Sequence, residues 1–437
     1  MNTLTKRRNP LDLLMKSGLG KLLGRIGVAP RRARSDSLLD LADALLSLRG
    51  RASGPALASA FFDLYEASDL AVRQSFLENV HELLPYDAQA IDEAVATWSA
   101  TRDDGAAKAL HAATWSPGVR LVRQLNLAPQ GTQRLLRMRE DLLADRKSTP
   151  GTRMLDEALE SAFTSWFNVG FLELRRISWD SSARMLDRII QYEAVHEIEG
   201  WQDLRRRVEP IDRRCYGYFH PQMAEDPLIF VEVALTRELP SAIHQIIAEE
   251  RDVIAPREAS CAIFYSISNC QDGLKGIPFG NYLIKRVASL LQEELPQLRT
   301  FATLSPLPGF AQWLAKSQGE GARVPGARRL KVLAAQYLAF AKHKSGLPLD
   351  SVARFHLGNG ARLEAIHASA DLSKNGQRQA HGVMVNYVYD LAELEANHFA
   401  LTELGTVATS KAVQLLAEEA MAAKKGKGDP VPDEIAA

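Results

Sequence analysis

Cysteine is scarce in this sequence, and the cysteines that occur do not form the spaced pairs of disulfide frameworks or metal sites. They are Cys215, Cys261 and Cys270, with no CxxC pair and no histidine at zinc-finger spacing. This pattern argues against a structural zinc and is typical of a reducing compartment. An HExxH motif is absent as well, so a zincin-type site has no support. We therefore expect a chain without a metal site, in which Cys261 and Cys270 are small buried thiols.

Neither sign of charge is in excess, and long apolar runs are missing. Lysine and arginine total 53, as do aspartate and glutamate, which argues against nucleic acid as the main partner. No apolar run approaches the roughly 20 residues that span a bilayer, so stable membrane insertion is not expected. The first 34 residues are basic, with Asp12 as their one acid, and they predict the frayed terminus of a cytoplasmic protein. A mitochondrial transit peptide or a surface-seeking amphipathic segment stays open as the alternative.

The first part of the chain is predicted to be helical. At 437 residues the chain is too long for one ordinary core, so two domains are expected. Within residues 1–168, Leu38, Leu41 and Leu45 lie on one helical stripe, and Ser68 precedes a second amphipathic segment as its predicted N-cap. Strand signals are nearly absent here. We predict a helical bundle that packs against the second half and mediates self-association as a homodimer or homotetramer.

Residues 169–420 have a different pattern, because near-continuous apolar runs of strand length alternate with helical stretches. Such runs are typical of strands that are covered on both faces. The predicted strands are 226–235, 260–268, 299–305 and 382–391, and the predicted helices are 238–250, 280–295 and 328–344. The fold class is therefore α+β with two domains, a helical bundle followed by an α/β domain. Residues 421–437 are predicted to be a disordered tail.

A glycine-dotted loop, "KGIPFG" at 275–280, follows the apolar stretch "CAIFYSI" and runs into an amphipathic helix. With Asn281 as N-cap, the loop can aim backbone N–H groups at a pyrophosphate, and Lys275 can add a charge. The same turn can also be purely structural. It is neither a Walker loop nor a dinucleotide fingerprint, because no Gly-Lys-Ser/Thr follows and the glycine spacing differs. It is closer to the coenzyme A loop of the N-acetyltransferase-like (GNAT) fold, although Lys275 and Pro278 depart from that motif and only Gly280 fits it.

Several long segments, in order and in register, closely resemble malonyl-CoA decarboxylase. They are "DPLIFVEVAL", "AIFYSISNCQDGLKGIPFGNYLIKRV", "TLSPLPGFAQWL", "VARFHLGNGARLEAIHASADLS" and "GVMVNYVYDLAELEANH". The likeness runs through most of residues 165–398. It implies a helical N-terminal oligomerisation domain, a C-terminal domain of GNAT-like fold, and the conversion of malonyl-CoA into acetyl-CoA and carbon dioxide.

The resemblance also implies the site residues. The family serine lies in Ser-Pro-x-Pro-Gly-Phe, which is "SPLPGF" here and gives Ser305. The family histidine lies in "FHLGNGA" and gives His356, and a family tyrosine matches Tyr389 in "NYVY". Pro278 stands where some relatives carry an acidic residue, so no role for that acid is transferred. The coenzyme A loop of the family falls on Lys275, Gly276, Ile277, Pro278, Phe279, Gly280 and Asn281.

Each of the three catalytic candidates also has an ordinary structural interpretation. Ser305 precedes Pro306, an arrangement that is typical of a helix N-cap followed by a proline at the first helical position. His356 closes a predicted short helix, where a histidine can favour the helix dipole. Tyr389 alternates with other apolar residues along a predicted strand and can be packing alone. Four neighbouring polar residues are assigned no chemistry: Asn359, Asp371, His381 and Asn386.

The chemistry of decarboxylation is consistent with these residue types. Loss of carbon dioxide leaves negative charge on a thioester enolate, and because the thioester is itself the electron sink, neither pyridoxal phosphate nor a metal is required. A positioned donor to the enolate oxygen is typically worth about 3–4 kcal/mol. Histidine suits the proton step, since its unperturbed pKa is near 6.5, and a serine hydroxyl can orient the carboxylate. Two rival functions stay open: an acyl-CoA-dependent N-acyltransferase of the same fold, and a non-catalytic acyl-CoA-binding protein.

Overall fold

The chain forms two compact units in a computed structural model, which describes residues 34–47, 50–145, 148–319 and 323–425. The helical unit comprises the residues up to Phe171 together with the short segments Pro221–Met223 and Gln271–Phe279. The sheet unit comprises Leu172–His220, Ala224–Cys270 and the chain from Gly280 onward. The predicted boundary at residue 168 lies near the end of the first long segment, and the two short segments fall inside the range predicted for the second domain.

The helical unit contains eight α-helices among its described residues, as the leucine spacing predicts. They are α1 (Arg34–Leu46), α2 (Gly50–Ala67), α3 (Leu70–Asn79), α4 (Ala88–Thr101), α5 (Asp104–Ala113), α6 (Pro117–Leu125), α7 (Gly131–Ala144) and α8 (Pro150–Trp166). Their apolar faces meet in a core that includes Phe61, Phe62, Phe76 and Phe163, all fully buried. Burial of such large aromatic side chains is the main favourable term in forming the bundle.

The predicted helix cap at Ser68 is wrong. The N-cap of α3 is Asp69, whose carboxylate accepts a hydrogen bond from the N–H of Val72. The hydroxyl of Ser68 instead donates to the carbonyl of Leu64, at the end of the preceding helix. Both residue types are good caps, and the position of the chain reversal decides between them.

The sheet unit is built on one eight-stranded sheet, in the order β1-β2-β3-β4-β5-β8-β6 with β7 also paired to β8. The strands are β1 (Glu173–Ile177), β2 (Arg213–Phe219), β3 (Ile229–Thr236), β4 (Cys261–Asn269), β5 (Thr300–Thr303), β6 (Ser305–Pro306), β7 (Arg362–His367) and β8 (Met384–Val388). Strands β1 to β4 form an antiparallel meander, and β4 pairs with β5 in parallel. The predicted architecture, a helical bundle followed by a domain in which strands alternate with helices, is confirmed.

Ten further α-helices are described in the sheet unit. They are α9 (Ala183–Tyr192), α10 (Trp201–Val208), α11 (His244–Ile247), α12 (Leu283–Glu294), α13 (Phe310–Gln318), α14 (Ala327–Phe340), α15 (Ser351–Gly358), α16 (Lys374–Ala380), α17 (Leu394–Leu404) and α18 (Lys411–Lys425). Helix α12 makes the crossover between the parallel strands β4 and β5, which is the connection that parallel pairing requires. Among the described helices none is long and apolar enough to cross a membrane.

The predicted helix 238–250 is wrong, since only His244–Ile247 is helical there. The predictions also miss β1, β2 and β7. Strand β2, "RRCYGYF", is buried along its whole length although it begins with two arginines. Those arginines are paired inside the unit: Arg213 donates to the carbonyl of Ile246, and Arg214 binds Glu294. The spacing of apolar residues along the sequence cannot reveal a strand whose buried charged side chains are paired with partners far along the chain.

The two ends of the chain fall largely outside the described residues. The predicted basic segment 1–34 has only its last residue in the described part, at the start of α1. The predicted tail begins inside α18, which runs to Lys425, so the prediction of disorder is wrong for residues 421–425. Residues 426–437 lie outside the described chain.

Candidate active site

The three predicted catalytic residues lie in direct contact within the sheet unit. The Oγ atom of Ser305 is 3.1 Å from Nε2 of His356, and Nδ1 of His356 is 2.8 Å from the hydroxyl of Tyr389. All three side chains are buried, with exposed fractions of 5%, 3% and 2%. Ser305 begins β6, His356 lies on α15 and Tyr389 directly follows the last residue of β8, so the fold rather than local sequence brings them together.

Ser305 is held by strand pairing, and the interpretation of Ser305 as a helix cap is wrong. It begins the two-residue strand β6, where Ser305 pairs with Val385 and Pro306 with Met384 of β8. The next helix, α13, begins only at Phe310, with Gly309 as its N-cap residue. The hydroxyl of Ser305 is therefore not used on a helix end and is available to the histidine.

His356 lies on the last turn of the short helix α15, as predicted. The helix ends at Gly358 with Asn359 as its C-cap, and Gly360 follows with a φ of +84°. A Cβ atom at Gly360 would lie 2.1 Å from the carbonyl oxygen of Leu394, so only glycine fits this turn. The tight turn at Gly360 fixes the C-terminal end of the helix on which the His356 imidazole lies.

Burial determines the charge state of the histidine. Burial lowers the pKa of His356 to about 3, so the imidazole is neutral near pH 7. One face of the ring stacks on Tyr387, with ring centroids 4.7 Å apart. Burial also raises the pKa of the Tyr389 hydroxyl well above its ordinary value. The unperturbed pKa near 6.5, which makes histidine suited to proton transfer, is therefore not the pKa of His356 in the folded chain.

The hydrogen bonds assign a direction to each proton. Ser305 donates its hydroxyl proton to Oγ1 of Thr303 at 2.8 Å, so its oxygen accepts from Nε2–H of His356. The other ring nitrogen, Nδ1, then accepts from the hydroxyl of Tyr389. The result is an uncharged chain of donors from Tyr389 through His356 and Ser305 to Thr303.

Thr303 and Asn386 support this chain, and neither was given a role from sequence. Thr303 is fully buried in β5, and its Oγ1 also accepts from the N–H of Tyr387 at 3.2 Å. Asn386 donates from Nδ2 to the carbonyl of Thr303 at 2.8 Å. The only hint in the sequence is that Thr303 lies two residues before Ser305 in the family motif region.

The other polar residues near the motifs have mixed positions. Asn359 is buried beside the hydroxyl of Tyr389. Asp371 accepts from the N–H of Ser373 at the start of α16, and His381 is the left-handed C-cap of that helix. Cys261 and Cys270 are free and buried, as predicted, and Cys215 is free and buried as well.

The predicted coenzyme A loop divides between the two units. Residues Lys275 to Phe279 belong to the helical unit, whereas Gly280 and Asn281 belong to the sheet unit. The side chain of Lys275 is exposed, and Gly276 has a φ of +88°. Three loop N–H groups are used internally, since Lys275 donates to Asp272, Ile277 donates to Leu274 and Phe279 donates to Ile277. These three groups therefore do not point at a ligand.

Asn281 is not the cap of the helix that follows the loop. It lies within a 3₁₀ turn, Gly280–Tyr282, and α12 begins at Leu283 with Tyr282 as its N-cap and no side-chain cap bond. Its backbone is part of the turn that tightens the helix start. The predicted helix 280–295 is confirmed in its main part.

Arg139 of α7, which sequence reasoning missed, holds the base of this loop inside the helical unit. Its Nη1 atom donates to the carbonyls of Gly273 and Lys275, at 2.8 and 2.9 Å, and its Nε binds Asp156 at 2.8 Å. Its side chain is 3% exposed. A Cβ atom at Gly273 would lie 2.4 Å from the carbonyl oxygen of Leu136, so the loop base packs directly on the helix backbone.

Comparison with known proteins identifies relatives over most of the chain. The family model "Malonyl-CoA decarboxylase N-terminal domain" matches residues 85–167, and the model of the C-terminal domain matches residues 170–327 and 323–427. The chain is 34% identical over 346 residues to a protein of Anser anser anser named "Malonyl-CoA decarboxylase, mitochondrial", which covers 68% of each chain.

Two solved structures are similar across nearly their whole length. They are crystal structures of malonyl-CoA decarboxylase, one from Rhodopseudomonas palustris and one from Agrobacterium vitis. Each is 45% identical to this chain and covers 87% of this chain and 99% of its own, with TM-scores of 0.81 and 0.82 respectively.

Proposed function

The chain belongs to the malonyl-CoA decarboxylase family, and from this premise we propose that it converts malonyl-CoA into acetyl-CoA and carbon dioxide with Ser305, His356 and Tyr389 as its catalytic residues. The activity is that of a carboxy-lyase. One observation carries the assignment of the residues: a serine, a histidine and a tyrosine from three separate segments of the chain form a buried, continuous chain of hydrogen bonds of 3.1 and 2.8 Å.

The first step uses the serine to orient the substrate. The hydroxyl of Ser305 turns from Thr303 to the malonyl carboxylate and holds it out of conjugation with the thioester. The C–C bond then breaks, its electron pair enters the thioester as an enolate, and carbon dioxide departs. A buried site strengthens this step, because a carboxylate that leaves water for an apolar environment gains from losing its charge as carbon dioxide.

The second step returns a proton to carbon. The enolate carbon takes one proton from Nε2 of His356 while the hydroxyl of Tyr389 gives one to Nδ1. Water then reprotonates Nε2, and Nδ1 returns its proton to the tyrosine oxygen, which restores the starting tautomer. A neutral imidazole is a competent donor here, because a thioester enolate is a stronger base than an imidazolate. The pKa of about 3 therefore fits a histidine that cycles through its neutral form and never rests as a buried cation.

The loop from Lys275 to Asn281 is proposed to bind the coenzyme A part of the substrate. The exposed amine of Lys275 supplies a positive charge for a phosphate, and Gly276 in the left-handed region lets the backbone turn without a side chain. Because the N–H groups of Lys275, Ile277 and Phe279 are used internally, phosphate binding is left to the Lys275 side chain and the remaining backbone N–H groups of the loop.

The test is incubation of the purified protein with malonyl-CoA alone, with mass detection of acetyl-CoA and of released carbon dioxide. Wild type is expected to form both in equal amounts. Ser305→Ala and His356→Ala are each expected to lower kcat by about 10²-fold, the usual weight of an acid–base group, while coenzyme A still binds in calorimetry. Near-normal turnover in both variants would overturn the site, and acyl transfer to an added amine without carbon dioxide release would favour the acyltransferase.

The reaction is proposed to need no resident cofactor, since the thioester of the substrate accepts the electron pair. Activity should therefore persist after dialysis against a chelator. A loss of activity that added metal restores would contradict this part of the proposal.

The helical unit is proposed to join copies of the chain as a homodimer or homotetramer. Several of its large apolar side chains are exposed in the single chain: Leu70, Tyr86, Val95, Trp115 and Leu127. Sedimentation at several concentrations distinguishes the two assemblies, and a monomer throughout would contradict both.

The proposed compartment is the cytoplasm, with the mitochondrion as the alternative. The alternative draws support from the name of the goose relative and from the basic residues 1–34, which lie almost wholly outside the described part of the chain. Imaging of a fluorescent fusion with and without these residues decides between them.

A further inference from the structure

Asp350, a buried carboxylate outside the catalytic chain, contacts the segments that carry Ser305 and His356. It is 1% exposed and is the N-cap of α15. Its Oδ1 atom accepts from the N–H groups of Val352 and Ala353, each at 3.0 Å. This bond pair fixes the start of the helix on which His356 lies.

The second oxygen of the same carboxylate reaches the serine segment. Oδ2 accepts from the N–H of Gly309, four residues after Ser305, at 3.4 Å, and from the hydroxyl of Tyr337 at 3.2 Å. A Cβ atom at Gly309 would lie 2.4 Å from that hydroxyl oxygen, so the turn and the tyrosine are packed directly together. One carboxylate therefore joins α15, the turn after Ser305, and α14.

We propose that Asp350 is a positioning residue for the decarboxylation, because it sets the distance between the serine hydroxyl and the imidazole. This inference rests on the proposed function. A displacement of about 1 Å between reacting groups can lower the rate on the order of 10²-fold. A carboxylate that is hydrogen-bonded to both segments can therefore affect the rate without contacting the substrate.

Two variants distinguish the role of Asp350 as a helix cap from its hydrogen bonds to Gly309 and Tyr337. Asp350→Asn can keep the Oδ1 cap but replaces Oδ2 with an amide that faces the N–H of Gly309. Tyr337→Phe removes one donor and leaves the cap intact. The matched controls are in the helical unit: Asp87→Asn, at the exposed N-cap of α4, and Tyr65→Phe, whose hydroxyl donates to Asp141 at 3.1 Å.

Steady-state kinetics and imidazole NMR test the proposal together. Asp350→Asn is expected to lower kcat by about tenfold or more and Tyr337→Phe by severalfold, with KM for malonyl-CoA within about twofold of wild type. In ¹⁵N–¹H spectra, the Nε2–H signal of His356 should shift or broaden in both variants and stay unchanged in both controls.

Opposite results would overturn the proposal. These are a kcat for Asp350→Asn no lower than that of Asp87→Asn, a parallel change in kcat and KM, or an imidazole signal that stays at its wild-type position. If wild type itself released no carbon dioxide from malonyl-CoA, the proposed function would fail, while the NMR comparison would still decide whether Asp350 sets the Ser305–His356 contact.

Discussion

Each unit buries a tyrosine hydroxyl that meets a titratable partner, but the partners differ in charge. In the helical unit, Tyr65 donates to Asp141, and Arg73 binds the same carboxylate oxygen at 3.1 Å. In the sheet unit, Tyr389 donates to the neutral ring of His356. In the first arrangement, the hydroxyl donates to a carboxylate that is already in an ion pair with Arg73. In the second, the hydroxyl donates to an uncharged ring nitrogen.

The surroundings of the two tyrosines extend this difference. The Tyr65 hydroxyl is one contact in a network of opposite charges, so its bond contributes to stability. Beside His356, the hydroxyl of Tyr387 is buried without a hydrogen-bond partner in the described part of the chain. A buried hydroxyl without a partner costs stability, so the surroundings of His356 are less completely satisfied than those of Tyr65.

The largest expected effect is on stability in acid. The folded-state pKa of His356, about 3, lies below the ordinary value of 6.5, so the unfolded chain binds the proton more readily. Stability is therefore complete above about pH 6.5 and falls as the pH drops toward 3, by up to about 1.4 kcal/mol per pH unit for one such group. His196, whose burial lowers its pKa to about 4, adds to the same slope.

Urea unfolding at pH 7 and pH 5 measures this slope. His356→Gln removes the titrating group and should retain roughly 2 kcal/mol more of its pH 7 stability at pH 5 than wild type does. An equal pH dependence in the two proteins would show that the histidine is not buried in its neutral form.

The second effect concerns the proton chain itself. Tyr389→Phe removes the hydroxyl that orients and reprotonates Nδ1, so kcat should fall by roughly tenfold to thirtyfold with little change in KM. Stopped assays of acetyl-CoA formation measure it. Tyr65→Phe removes the corresponding hydroxyl in the helical unit. Equal losses of activity in both variants would show that the Tyr389 hydroxyl has no specific role in catalysis.

The architecture could be predicted from sequence, because apolar periodicity reports burial directly. Buried strands such as β3 and β4 were recognised in this way. Strand β2 was missed because Arg213 and Arg214 are satisfied by partners far along the chain, which no local pattern shows. In the same way Ser305 was recognised through its motif, but the tie made by Asp350 depends on tertiary contacts alone.

A third effect tests the loop of the helical unit. Arg139→Met removes the donors to the carbonyls of Gly273 and Lys275, so the loop base should lose order before coenzyme A binds. We expect KM for malonyl-CoA to rise about fivefold to tenfold, with kcat within about twofold. The control is Arg134→Met on the same helix, where the guanidinium binds Asp63 and Glu66. Equal KM values in the two variants would show that the hydrogen bonds from Arg139 to the loop do not contribute to substrate binding.

The smallest effect is on the helical unit alone. Tyr65→Phe deletes one hydrogen bond to a paired carboxylate, at 3.1 Å in the native chain, and should lower the free energy of unfolding by about 1 kcal/mol. Because Arg73 still neutralises Asp141, no uncompensated charge is left behind. Denaturant unfolding measures the loss, and kcat and KM should match wild type. A fall in kcat would mean that the Tyr65–Asp141 hydrogen bond also affects catalysis.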